Sequence, residues 1–339
     1  MGAVTDGAPV LSLEGLCVQF AAEHGLVRAL KDVSFDIGAG ETVALVGESG
    51  SGKSVTSLSV LRLLPPSGRI TGGRILFRGW RGEAIDLACA PEASLRAVRG
   101  AGVSMIFQEP MSALNPAFTV GAQIAETIEL HQRTSRAEAL GRAETLLAKV
   151  GIAESARRLG QYPHQLSGGM RQRVMIAMAV ACRPALLIAD EPTTALDVTT
   201  QAQVLALLRA LQAETGLGVL FVTHNLALVP MIADRVVVMY AGEIVEAGRA
   251  AEVLAAPKHP YTRALLECLP ARHLPRDRTA WRPLPTIEGA PADLVDRPAG
   301  CAFAGRCPIA VRECRLEAIR LRPVGDDARL SRCLRAELL

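Results

Sequence analysis

Two glycine-rich turns in this chain could each hold an anion. The first, Gly47-Glu-Ser-Gly-Ser-Gly-Lys-Ser54, has the composition of a phosphate cradle. Gly47, Gly50 and Gly52 allow backbone N–H groups to turn inward, with Glu48, Ser49 and Ser51 between them. Lys53 adds a point charge for β/γ phosphates, and the Ser54 hydroxyl can ligate Mg²⁺. Val55 continues into a helical run whose positive dipole end faces the loop. The second turn, Leu166-Ser-Gly-Gly-Met-Arg-Gln-Arg173, also precedes a helical run. One nucleotide does not need two cradles, whereas two chains sharing two nucleotides do.

Three further positions bear on phosphate chemistry. Ala185 to Glu191 ends an apolar run in two acids. An Asp at such a strand end can hold Mg²⁺, and the adjacent Glu191 is placed to orient or deprotonate a water. A solvated edge or a helix cap is the alternative for this pair. Gln108 follows a short apolar strand, where its amide could reach metal or water, or simply solvent. His224 follows the apolar run Val219 to Thr223; it is either a structural histidine or a neutral imidazole sensing a γ-phosphate.

Recognisable elements position these residues. Glu41 to Val46 reads as a buried strand entering the first loop, and Lys53 to Leu64 as a helix stopped by Pro65-Pro66. Ala185–Ala189 and Val219–Thr223 read as further buried strands, and residues 11–37 as edge strands. Residues 117–160 read as helical, with a capping box at Ser135–Glu138 and a stop at Gly151. Apolar strands alternating with helices predict a mostly parallel, helix-covered sheet, hence an α/β fold. After about residue 255 prolines become frequent, which places a boundary there.

Composition narrows the class. Half of the 339 residues are apolar, enough for a large core, and the net charge of +3 is too balanced for nucleic acid as the main partner. The longest apolar run, Val174 to Cys182, is far short of the roughly 18 residues a membrane span needs. Met1 to Val10 lacks the pattern of a secretory signal, so a cytosolic chain with reduced cysteines is expected.

In order, Gly47–Ser54, Gln108, Leu166–Arg173, Asp190–Glu191, Thr194-Ala-Leu-Asp197 and His224 resemble the Walker A, Q-loop, signature, Walker B, D-loop and H-loop of ATP-binding-cassette ATPases. The resemblance covers about residues 10–250. It implies a RecA-like P-loop nucleotide-binding domain with a β-sheet subdomain and a helical insertion, here about residues 95–170. It implies ATP and Mg²⁺ as ligands, with Ser54, Gln108 and Asp190 on the metal and Asp197 at the nucleotide. It also implies a head-to-tail dimer in which Ser167, Gly168 and Gly169 meet the γ-phosphate on the partner. Phe20 is the candidate to stack on adenine, although a strand Phe is more often core. With one cassette and no sustained heptad run, the chain does not resemble the translation-associated or DNA-repair members.

Longer segments resemble the dipeptide/oligopeptide permease ATPases: Val46–Val55, Gln108–Pro116, Tyr162–Val174 and Ala189–Val198. Val55 and Met170 resemble the "D" type of their two non-identical ATPase subunits, and His259-Pro-Tyr-Thr-Arg263 resembles the start of their C-terminal extension. The resemblance implies a domain over 1–254, an extension over 255–339, and peptide uptake, with nickel, glutathione or opine import as alternatives. A regulatory ATPase without a permease is a further alternative. Implied partners are a second ATPase, two transmembrane permease subunits and an extracytoplasmic binding protein, which sets the chain at the cytoplasmic face of the inner membrane. Residues after Gln108, through about Gln123, would line a groove for a helix of the membrane subunit, although Phe118 and Val120 could be ordinary core.

Four of the eight cysteines cluster as Cys301-x5-Cys307-x6-Cys314-x18-Cys333 in a segment poor in core formers. Small units of this kind often rely on a metal staple. The spacing lacks the close pair usual for zinc and suits a [4Fe–4S] cube, a reading the family resemblance supports. Zinc and no metal remain alternatives.

Overall fold

The computed structural model describes residues 8–23, 25–80, 83–108, 113–194, 196–270, 285–295, 297–325 and 329–339. Residues 109–112 and Ala195, within the expected groove and D-loop, and 271–284, in the proline-rich stretch, lie outside the described residues. Chain contacts divide the molecule into two compact units.

The first unit comprises Met1–Ser12, Asp36–Thr42 and Leu76–Val222. Its parallel strands Val103–Ile106, Leu186–Asp190 and Gly218–Thr223 pair in that order. The last two are buried at every residue, as unbroken apolar runs without period-two alternation require. Helices Val120–Gln132, Arg136–Lys149, Ser155–Leu159 and Gly168–Val180 pack on one another. The expected helical stretch 117–160 is thus three helices. The first stops where Arg133 takes φ 50°, and the second stops at Val150, followed by Gly151 at φ 79°. Only half of the expected capping box forms. Ser135 Oγ accepts from the Glu138 N–H at 3.3 Å, while the Glu138 carboxylate turns to the Thr134 hydroxyl and Arg142.

The second unit comprises Leu13–Phe35, Val43–Ile75 and Thr223–Leu339. Strand Thr42–Val46 pairs in parallel with Arg235–Tyr240, which pairs antiparallel with Glu243–Arg249. Beyond it lie the short strands Leu330–Ser331 and Arg322–Pro323, both antiparallel. The sheet here is therefore mixed, because a tight hairpin at Ala241-Gly242, with φ 47° and 74°, reverses the chain. Val46, Tyr240, Tyr261, Leu266 and Phe303 share one buried cluster, so residues after 255 complete the core beside the phosphate loop. Strands Gly25–Ile37, Leu11–Ala22 and Gly68–Trp80 lie side by side in that order. No described helix in either unit is long and apolar enough to cross a membrane.

Candidate nucleotide site

The phosphate loop follows a strand buried at all of Thr42–Val46. Its backbone conformation excludes side chains at two glycines. A Cβ on Gly47, at φ 155°, would meet the Met239 carbonyl at 2.3 Å and Ser51 Oγ at 2.7 Å. On Gly52, at φ 106°, it would meet Leu30 Cδ2 at 2.8 Å. The loop is also anchored from behind, since the Gly242 N–H donates to the Ser51 carbonyl at 2.8 Å.

Helix Lys53–Val60 begins directly after Gly52. It is shorter than expected, because Arg62 adopts φ 50° before the prolines are reached. Lys53 is 5% exposed, and its Nζ donates to the carbonyls of Gly47 and Glu48, both at 2.9 Å. This places a buried ammonium at the head of the helix, where an incoming phosphate can meet it. Ser51 Oγ is buried with no hydrogen-bond partner among the described residues, an unsatisfied group in the loop. Ser49, Gly50 and Ser54 are exposed, and Val55 is half-buried. These features fit the phosphate oxygens of a nucleotide.

Glu48 does not turn into the loop. Its N–H donates to the Tyr261 hydroxyl at 2.8 Å, and its carboxylate accepts from Arg306 at 2.9 and 3.2 Å. The Glu48 carboxylate holds the Arg306 guanidinium even further above its ordinary range, and burial raises Tyr261. Sequence reading missed both partners. Tyr261 sits in the quoted His-Pro-Tyr-Thr-Arg segment and Arg306 between two of the clustered cysteines, but no local pattern assigns either to residue 48. Phe20 is half-buried, with its ring close over Gly68, where a Cβ would lie 2.5 Å from Phe20 Cε1. His224 is exposed at the end of strand Gly218–Thr223.

In the first unit, Asp190 is 4% exposed at the end of its strand. Glu191 turns out of the strand with φ 48°, an unusual and costly backbone for a non-glycine residue. Its N–H donates to the Val222 carbonyl at 2.9 Å. Its Oε2 accepts from Gln108 Nε2 at 3.2 Å and from Thr194 Oγ1 at 2.9 Å. Gln108 and Glu191, 83 residues apart, are thus brought together, and Thr194 is an added partner.

Asp197 caps helix Val198–Thr215, accepting from the Thr200 N–H at 2.9 Å and hydroxyl at 2.7 Å. Those bonds, the backbone one foremost, lower its carboxyl below the usual range. Ser167 caps helix Gly168–Val180 through the Met170 N–H at 3.4 Å. Ser167 and Gly168 are exposed, and Gly169 lies near Thr200, where a Cβ would be 3.0 Å from its methyl carbon. Of the two residues weighed for a groove, Phe118 is 55% exposed and Val120 is core.

The cysteine expectation is overturned. Cys301, Cys307, Cys314 and Cys333 are free thiols lining one small cavity with His259 and Phe303. Among the described residues, however, no group of three or more His, Cys, Asp or Glu side chains is placed to hold a metal ion. Neither the [4Fe–4S] cluster nor the zinc alternative stands. In this setting burial pushes the Cys301 thiol up to about 11 and raises Cys307 and Cys333.

Comparison with known proteins agrees with the nucleotide reading. Residues 30–194 match the ABC transporter family model, and 245–314 match the oligopeptide/dipeptide transporter C-terminal region. The chain is 52% identical over 332 residues to a protein of Brucella abortus named for peptide import ATP binding, covering 96% of this chain and 97% of that one. It is 49% identical over 300 residues to the dipeptide transport ATP-binding protein DppD of Bacillus subtilis, covering 88% and 87%. The glutathione import ATP-binding protein GsiA of Salmonella choleraesuis is 54% identical over 283 residues, 83% of this chain and 45% of GsiA. Among solved structures, the dimeric ATP-binding cassette MJ0796 bound to ADP and Pi matches with TM-score 0.63 and 28% identity over 71% of this chain and 98% of that one. A glycine-built loop around a buried lysine, an acid pair closing a buried strand and these likenesses have one reading: the chain belongs to the ABC transporter family of ATP-binding proteins, among those carrying the oligopeptide/dipeptide C-terminal region.

Proposed function

We propose that this chain is the ATP-hydrolysing subunit of an ABC importer that takes up di- or oligopeptides. The observation that carries the hydrolytic role is the Glu191 carboxylate, held by Gln108 and Thr194 at the end of a buried strand. A carboxylate so oriented can accept a proton from a water attacking the γ-phosphate. Lys53, released from the Gly47 and Glu48 carbonyls, moves to the β/γ phosphates. Ser54, Gln108 and Asp190 are the residues for Mg²⁺, which would neutralise charge developing on the transferred phosphoryl group. Phe20 stacks on adenine, and His224 senses the γ-phosphate.

Ser167, Gly168 and Gly169 present an exposed helix N-terminus to the nucleotide of a second, non-identical ATPase subunit. The "D" type assignment follows Val55 and Met170, and the DppD likeness supports it. In this reading the cassette has a RecA-like core and a helical insertion, and the pair works on two permease subunits at the cytoplasmic face of the membrane, fed by a binding protein. Glutathione uptake is the second reading, favoured by the identity to GsiA.

Glu191→Gln is expected to keep ATP binding and to lower hydrolysis by about 10²–10⁴-fold, the range of general-base catalysis. Turnover at the wild-type rate would remove Glu191 from this role. Transport by the reconstituted complex, assayed with peptides against glutathione, decides between the two substrates.

A further inference from the structure

We propose that Arg306 of the C-terminal region is a positioning residue of the phosphate loop, neutralising Glu48 so that the loop accepts a nucleotide's phosphates. The proposal rests on Gly47–Ser54 being the nucleotide cradle.

Glu48 is held at three points. Its carbonyl accepts from Lys53 at 2.9 Å, its N–H donates to Tyr261 at 2.8 Å, and its carboxylate takes both arms of Arg306. The second and third come from residues 213 and 258 positions further along the chain. The loop's shape therefore depends on the region after residue 255 as well as on its own glycines.

Arg306 is built in rather than draped on the surface. Its side chain is only 6% exposed, against 28% for Glu48. The five N–H donors of a guanidinium are all used. Nε donates to the Glu288 carbonyl at 3.0 Å, and Nη2 to the Ile287 carbonyl at 3.0 Å and to Glu48. Nη1 serves Glu48 and the Tyr240 hydroxyl, at 2.9 and 3.4 Å. The plane also lies 5.9 Å from the ring centres of Tyr240 and Phe303. A lysine offers a point charge and cannot reproduce this fork.

The electrostatic consequence follows from placement. Glu48 puts a carboxylate one residue into a loop whose task is to attract polyanionic phosphate. Unpaired, that charge repels the ligand and draws on Lys53. Paired bidentately by a guanidinium, it leaves the loop's N–H groups and Lys53 as the net field. The same pair fixes the Glu48 backbone, so its carbonyl keeps facing Lys53 until phosphate replaces it.

The test is ADP binding, with Mg²⁺, to the full chain carrying Arg306→Ala, Glu48→Gln or both. Arg306→Ala is expected to weaken binding about tenfold, and Arg306→Gln, which keeps part of the side-chain bulk and two N–H donors but not the charge, by less. Glu48→Gln added to Arg306→Ala is expected to restore affinity to within about threefold of wild type, a rescue that a purely packing role for Arg306 does not give. Unchanged affinity in Arg306→Ala, or a loss that Glu48→Gln leaves in place, overturns the proposal. If Arg306→Ala does not fold, the Arg306→Gln pair carries the same comparison: rescue supports the proposal, and its absence overturns it. Failure of the wild-type chain itself to bind ADP would instead overturn the cradle assignment.

Discussion

The phosphate loop and the Ser167–Gly169 turn are both glycine-bearing N-termini of helices, yet they are supported in opposite ways. Gly47 and Gly52 are boxed in by backbone and side chains from distant strands, and Lys53 and Glu48 are bonded into the loop. Ser167 caps its own helix, Gly168 has nothing within 4 Å of a would-be Cβ, and the turn is open to solvent. A loop that must cradle phosphate by itself is shaped by its whole neighbourhood. A turn that presents N–H groups outward needs only a local cap and a clear face.

That contrast predicts a graded series. Gly47→Ala should have the largest effect, because its Cβ would lie 2.3 Å from the Met239 carbonyl in a left-handed backbone. We expect a loss of about 3 kcal/mol or more in stability, with ADP binding abolished, by thermal unfolding and titration. Wild-type behaviour would mean the loop is not so confined.

Acid should weaken the support behind the loop. His259 accepts the Tyr261 N–H at 3.1 Å, and burial, followed by repulsion from Arg332, lowers its pKa to about 3 from 6.5. The folded state therefore binds fewer protons than the unfolded chain between those values. Stability from this group is whole above about 6.5 and declines as pH falls toward 3, by about 1.4 kcal/mol per pH unit. His259→Asn, which keeps a capping acceptor, should flatten the decline measured by denaturant titration at pH 7 and 5.

Ser167→Ala should cost about 1 kcal/mol, the usual value of an N-cap, without changing ADP affinity of the isolated chain. Gly168→Ala should be near neutral for folding and for ADP binding, since space and backbone allow it. Its effect is expected only on ATP hydrolysis stimulated by the second subunit. Loss of ADP binding by the isolated Gly168→Ala chain would erase the contrast between the two turns.

Much of the site is readable locally. Strand Thr42–Val46, the glycines after it and the start of helix Lys53–Val60 are adjacent in sequence, so their types alone state the turn. The acid pair is equally local, as the end of the buried strand Leu186–Asp190. The bond from Gln108 to Glu191 and the role of Thr194 were not legible, because side-chain direction at a strand end depends on the φ 48° turn at Glu191. The helix after the loop was read too long because nothing in its pattern marks Arg62 as left-handed. The cysteine spacing invited a metal because spacing along the chain does not say how the side chains are placed, and among the described residues they form no group placed to hold a metal ion.

By itself, then, the amino-acid order settled what is short-range: glycines where only glycine fits, a lysine one residue past the last of them, two acids closing an apolar strand. Only the tertiary structure decided what crosses hundreds of residues. It placed Tyr261 and Arg306 on Glu48 and left four cysteines as free thiols around one small cavity. The reason is that such contacts come from packing the region after residue 255 around Tyr240 and Phe303, and packing of distant segments leaves no periodic trace in either one.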